Sequence, residues 1–257
     1  MRKLMVGMAA CSLLGLYAPA QGATNYRCDH LVANIAGTNG SDVIKGTSET
    51  DWITGRGGND VISGLGGDDV ICGGKGKDTI YAHSRKGFAT CKGDAPEDLL
   101  GGQGNDKLLS GGPSGRLVGG GGDDFLDGCR LRPITPSTVM RADYSQSPVP
   151  VDVRLWKAIA KGWGTDTLRN INTVAGSTYR DILVGSDAGE SLRGNEGNDF
   201  IKGFGGSDEL SGYLGDDEID GVDGVAGNDT LDGQDGIDTC TFDATTEASD
   251  TTYDCEN

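Results

Sequence analysis

From Asp42 onward an acidic residue returns every nine positions, at Asp42, Asp51, Asp60, Asp69 and Asp78. Two places after each stands an isoleucine: Ile44, Ile53, Ile62, Ile71 and Ile80. Aligned on the acid, residues 37–81 read GTNGSDVIK, GTSETDWIT, GRGGNDVIS, GLGGDDVIC and GGKGKDTIY. Glycine supplies 45 of the 257 residues, far above a usual ~7%. Such content serves either flexible linkers or a backbone that must turn tightly at fixed places. A strict period decides for the second, because disorder has no reason to keep register.

The beat resumes at GGQGNDKLL, which carries Asp106. It loses its acid in SGGPSGRLV, where Gly115 stands instead, and recovers it at Asp124 in GGGGDDFLD. Leu108, Leu117 and Leu126 keep time throughout. A third block, from about residue 185 to 240, carries Glu190, Asp199, Asp208 and Asp217, then a longer step to Asp229 and a regular one to Asp238. Its apolar partners are Leu192, Ile201, Leu210, Ile219, Leu231 and finally Cys240. The three extra residues around DGVDGVAGND predict a small bulge or loop. The pattern G-G-x-G-x-D-x-U-x resembles the RTX (haemolysin-type) calcium-binding repeat. That resemblance implies an all-β parallel β-roll solenoid that binds Ca2+.

The physics of the repeat leads the same way. The three residues after each acid make a very short strand, and the glycines before it reverse the chain. Two units then form one coil of 18 residues, and stacked coils form two parallel sheets. Coils sit about 4.8 Å apart, so Asp42, Asp60 and Asp78 stack on one edge and Asp51 and Asp69 on the other. Carboxylates about 5 Å apart repel by roughly 3 kcal/mol at an effective dielectric near 20. A hard divalent cation between coils reverses that sign. Calcium accepts six to eight oxygens in tolerant geometry, whereas magnesium demands strict octahedra and sheds water reluctantly. The predicted ligands are Asp42, Asp51, Asp60, Asp69, Asp78, Asp106, Asp124, Asp199, Asp208, Asp217, Asp229 and Asp238. The residues just before the acids (Asn59, Asp68, Asn105, Asp123, Asn198 and Asp216) read as exposed turn formers.

The amino terminus, MRKLMVGMAACSLLGLYAPAQGA, has a basic start, an apolar run and a small-residue Ala-Pro-Ala pattern. It reads as a secretory signal peptide over residues 1–23, which places the protein outside the cell. Six cysteines follow it: Cys28, Cys72, Cys91, Cys129, Cys240 and Cys255. An even count in an exported chain favours disulfides. Cys240–Cys255 is the one predicted pair, closing the tail; the other four stay open. RTX proteins typically leave through a dedicated exporter using a carboxy-terminal signal and carry few cysteines. Haemolysis and one-step secretion are therefore not inferred for this chain.

The formal net charge of −17 argues against nucleic acid and anionic membranes as partners. The domain reading is a first roll over 24–129, with repeats at 37–81 and 101–127. A β connector over 130–184 and a second roll over 185–257 complete it. In the connector, Val149, Val151, Val153 and Leu155 alternate as a half-buried strand, and Leu168, Ile171, Val174 and Leu183 lead back into the repeats. No H-E-x-x-H, G-x-S-x-G or phosphate-loop motif is present. The predicted function is a secreted, monomeric calcium-binding module that folds on the ion. Cell-surface or matrix glycans or proteins are its candidate partners. The alternative is a polysaccharide lyase or hydrolase, with Asp143, Asp152 and Asp166 as the acids not used by the repeats. A third reading places a ligand site in the 130–180 segment, around Trp156 and Trp163.

Overall fold

The structure, a computed structural model, describes residues 33–83, 97–112, 114–129, 139–225, 227–244 and 250–256. The signal peptide over 1–23, Cys28, Cys91 and connector residues 130–138 lie outside the described residues. Short strands form where the sequence places its apolar beat, as in Trp52–Gly57, Val61–Leu65 and Val70–Lys75. Such strands cannot persist alone. Each is held by a parallel neighbour one coil away, with Ile53 opposite Ile71 in one sheet and Ile62 opposite Ile80 in the other. One coil is thus 18 residues, and the chain alternates between the two sheets. Among the described residues the sheets hold eleven and twelve strands.

Because side chains alternate along a strand, every eighth-position residue points between the sheets. Ile53, Ile62, Ile71, Ile80, Leu99, Leu108, Leu117 and Leu126 are completely buried there, as are Leu192, Ile201, Leu210 and Ile219. Full burial of one such side chain contributes about 1.5–3 kcal/mol. The column survives two insertions. Ile71 pairs with Leu99 and Ile80 with Leu108, so the ten extra residues ahead of Glu97 leave the register intact. Leu210 pairs with Leu231 and Ile219 with Cys240, which puts the three-residue excess into the turn after Asp220, as the sequence predicts.

The connector carries both sheets onward. Strands Val139–Asp143 and Thr173–Ala175 extend the first sheet in parallel. In the second sheet, Asp152–Arg154 pairs antiparallel with Ile159–Lys161, which pairs antiparallel with Thr165–Arg169. Among the described residues the roll is therefore parallel except at this insertion. Of the residues leading back into the repeats, Leu168, Val174 and Leu183 are buried and Ile171 is partly so; Val151 and Val153 are buried, as the alternation predicts. Val149 departs from it and is 38% exposed. Pro148 and Pro150 flank it and offer no N–H to a ladder, so the strand starts only at Asp152. Leu155 enters a short 3-10 turn, Leu155–Lys157, instead of continuing the strand.

At the far end Cys240 and Cys255 form the predicted disulfide, with their Cα atoms 5.7 Å apart. Cys72 and Cys129 are disulfide-bonded as well. Cys240 occupies the inward position of its coil, and Cys255 packs against the same core. The bond ties strand Thr251–Tyr253 onto the open edge of the first sheet. Closing a loop of this length is worth about 3 kcal/mol in the chain-entropy account. Cys255→Ser is expected to lower the denaturation midpoint of the calcium-loaded protein accordingly. Hydrogen exchange should show the loss concentrated in the last two coils.

Candidate metal centre

Along each edge of the roll the acids form a ladder through the backbone. The N–H of Asp60 donates to Asp78 Oδ1 at 2.8 Å, that of Asp78 to Asp106 at 2.7 Å, and that of Asp106 to Asp124 at 2.8 Å. The second array repeats this, from Asp199 to Asp217 at 2.7 Å and from Asp217 to Asp238 at 2.8 Å. One oxygen of each carboxylate thereby locks two coils. The other is left over. Oδ2 of Asp60, Asp69, Asp78, Asp106, Asp124, Asp199, Asp208, Asp217, Asp229 and Asp238 is buried without a hydrogen-bond partner.

Beside these orphan oxygens lies the first glycine of the unit. A Cβ on Gly101 would lie 2.5 Å from both Asp106 Oδ2 and the carbonyl oxygen of Gly119, one coil away. Gly55 stands in the same relation to Asp60 and Gly73 to Asp78. Removing a side chain at this point leaves a cradle where a carboxylate oxygen and a carbonyl oxygen approach each other. Those are the donors a hard cation takes. Among the described residues no three His, Cys, Asp or Glu side chains gather into one cluster. A cation held here would therefore need carbonyls as well as carboxylates.

Two of the predicted ligands differ from the rest. Asp42 Oδ2 accepts the Thr38 N–H at 2.6 Å and its hydroxyl at 2.8 Å. Asp51 Oδ2 is served in the same way by Thr47. In the second array Asp181 is bonded by Ser177 and Glu190 by Ser186. These units carry Thr or Ser directly after the first glycine, where Arg56, Leu65, Asn195, Phe204 and Tyr213 stand in others. A hydroxyl at that point satisfies the acid from within the chain. Both arrays open with such self-satisfied acids.

Several rungs escaped the sequence reading. Glu97 sits opposite Gly115 in the ladder position one coil past Asp69. Its nine-residue step back from Asp106 was legible. Asp181 accepts the Val151 N–H, and its backbone donates to Asp199; it too lies one step before Glu190. Asp250 collects the N–H groups of Gly227, Asn228 and Asp229. Its tail position gave no periodic signal. Asp166, read from the sequence as a free carboxylate, is a ladder acid: it accepts the Asp124 N–H at 3.0 Å and the Tyr144 hydroxyl at 3.0 Å. Asp143 is engaged by Arg116 and Ser145, and Asp152 by Arg154. The three supposed catalytic acids are thus committed separately. The six turn residues before the acids are exposed, and Asn59, Asn105 and Asn198 bond the N–H of the next coil.

Burial dominates the electrostatics. It pushes Asp60, Asp69, Asp217 and Asp229 up to about 6, and Asp106, Asp199 and Asp208 up to about 7. Asp124 and Glu97 rise to about 8, with neighbouring carboxylates adding to the effect. Without metal the folded roll binds more protons than the open chain between about pH 4 and pH 8. Stability from these groups is fully present below the unfolded carboxylate value and is lost as pH rises through 6 to 8. In metal-free buffer the sheet signal in circular dichroism is expected to be larger at about pH 4 than at about pH 8. A signal independent of pH would contradict this.

The family described as RTX calcium-binding nonapeptide repeat (4 copies) matches the chain at residues 36–71, 45–80, 115–128, 184–219 and 222–242. No curated protein matches it.

Proposed function

Because the chain carries calcium-binding nonapeptide repeats of the RTX family, we propose that it is a secreted protein whose roll assembles on calcium and then serves as an extracellular interaction module. The observation that carries this is the row of buried carboxylate oxygens without partners, beside side-chain-free cradles. Oxygens of that kind, placed between coils, are the donors that hold Ca2+. In the roll, Asp60, Asp69, Asp78, Asp106, Asp124, Asp199, Asp208, Asp217, Asp229 and Asp238 would hold the ions together with turn carbonyls. The ion supplies positive charge between like-charged rungs. The chain supplies the spacing, the backbone ladder and the exclusion of water.

The amino-terminal 1–23 segment and the Cys240–Cys255 bond support an oxidising, extracellular setting. Extracellular modules commonly bind calcium at about 10⁻⁴–10⁻³ M, which suits a protein that folds after export. Monomeric action is part of this reading. Asp143, Asp152 and Asp166 are engaged by different partners, so these three acids lend the enzyme alternative no support. Calorimetric titration of the unreduced protein is expected to show saturable uptake of several ions. No uptake below about 10 mM, ten times the weak end of that range, would overturn the reading.

A further inference from the structure

On the outer face of the first sheet, four consecutive coils enclose an open groove of about 540 Å³, within the usual range for ligand sites. Its floor follows from the sequence. Arg56, Gly74, Gly102 and Gly120 stack directly upon one another. They occupy the second place of their units. Elsewhere that place carries Leu65, Asn195, Phe204, Tyr213 and Gln234, all with positive φ between 68° and 87°. At Gly74, Gly102 and Gly120 a Cβ would come within 2.0–2.2 Å of a carbonyl oxygen of the preceding coil, so three successive rungs present bare backbone. The result is a trough roughly 14 Å long at one strand spacing per rung.

The walls are chemically mixed. Leu100 and Val118, paired in register, form an apolar side, and Lys75 with Gln103 forms the other. Arg56 closes one end. Trp163 closes the other: its indole lies against Gly121, where a Cβ would come within 2.8 Å of Nε1, and it is 42% exposed. Gln146 borders the groove with an amide nitrogen that has no hydrogen-bond partner. Arg56 and Lys75 form no ion pair with any described residue, and no carboxylate lines the groove. On a chain of net charge −17 that is a marked local reversal.

The geometry points to a binding site for an acidic saccharide, lying along the stack with a ring against Trp163 and a carboxylate between Arg56 and Lys75. An aromatic face suits the apolar face of a sugar ring. The amides of Gln103 and Gln146 suit its hydroxyls, and paired cations suit a uronate. An open, elongated trough favours an extended oligomer over a compact cofactor. Each bound divalent ion also raises the net charge by two, so the roll admits an anion best when loaded. The inference therefore rests on the calcium reading for its scaffold, and deepens it by naming a partner class.

The test is calorimetry of the calcium-loaded protein with a hyaluronan tetrasaccharide, compared with the neutral N-acetylglucosamine tetramer. Saturable binding of the acidic sugar is expected, weakened about tenfold or more in Trp163→Ala and in the double variant Arg56→Asn, Lys75→Ala. Asn is chosen because Asn195 already stands at the equivalent place with positive φ. Both replaced cations are at the surface, so the double variant keeps the test valid if Trp163→Ala misfolds. Absence of binding, equal binding of the neutral tetramer, or variants that bind as well as the parent would each overturn the proposal. Circular dichroism of the same samples reports the roll separately. A folded protein that ignores the sugar sinks the groove and leaves the calcium reading standing.

Discussion

Excess chelator at neutral pH is expected to abolish the sheet signal of this protein, and returning calcium to restore it. Leaving a buried polar group unsatisfied costs about 1–3 kcal/mol, more when charged. Among the described residues ten Oδ2 atoms stand in that condition. Their combined cost, even at the low end, is comparable to the roughly 5–15 kcal/mol of a typical domain. Repulsion along each ladder adds to it. On the proposed reading the ionised roll is therefore expected to open without metal. Far-ultraviolet circular dichroism during a calcium titration reads this directly, and a spectrum unchanged by chelator at neutral pH would refute it.

The second large effect belongs to a methyl group. Gly101→Ala is expected to raise the calcium midpoint of folding severalfold and to lower the number of ions bound. The new Cβ would meet both Asp106 Oδ2 and the Gly119 carbonyl at 2.5 Å. Neither can withdraw, since one is anchored through its Oδ1 bond and the other is backbone. Overpacking alone costs about 1–3 kcal/mol, and the cradle is lost with it. Gly57→Ala is the matched control: its nearest neighbours would be 3.9 Å away, at ordinary contact distance. It should bind and fold as the parent does. Equal behaviour of the two variants would show that the first glycine is not kept for the cradle.

Much of this architecture is legible in the chain itself. Ile53, Ile62 and Ile71 announce both the coil length and the core, because a period of nine with one inward residue per strand admits few other solutions. The metal cradle is legible in kind, from Asp60, Asp78 and their glycines. Two features were not. Asp166 lies in GWGTDTLR, a unit disguised by Trp163 and Gly164, and only the antiparallel insertion beside it reveals its place in the ladder. The difference between Asp51 and Asp69 turns on a hydroxyl at Thr47, four residues from the acid. A period counts positions, and it is blind to which side chain fills the gap between them. Val149 fails for a similar reason: its apolar alternation is real, but its proline neighbours decide where pairing begins.

The hydroxyl-bonded acids at the head of each array give the stack a direction that its repeats lack. In a solenoid, each layer draws its stability from the layers it touches. Asp42 and Asp51, and again Asp181 and Glu190, are satisfied within their own turns without an ion. On the proposed reading, such turns would seed the coils that stack on them. A roll that folds on calcium is then expected to assemble one way along its axis, from two starting points, like a zip sewn shut at its lower end.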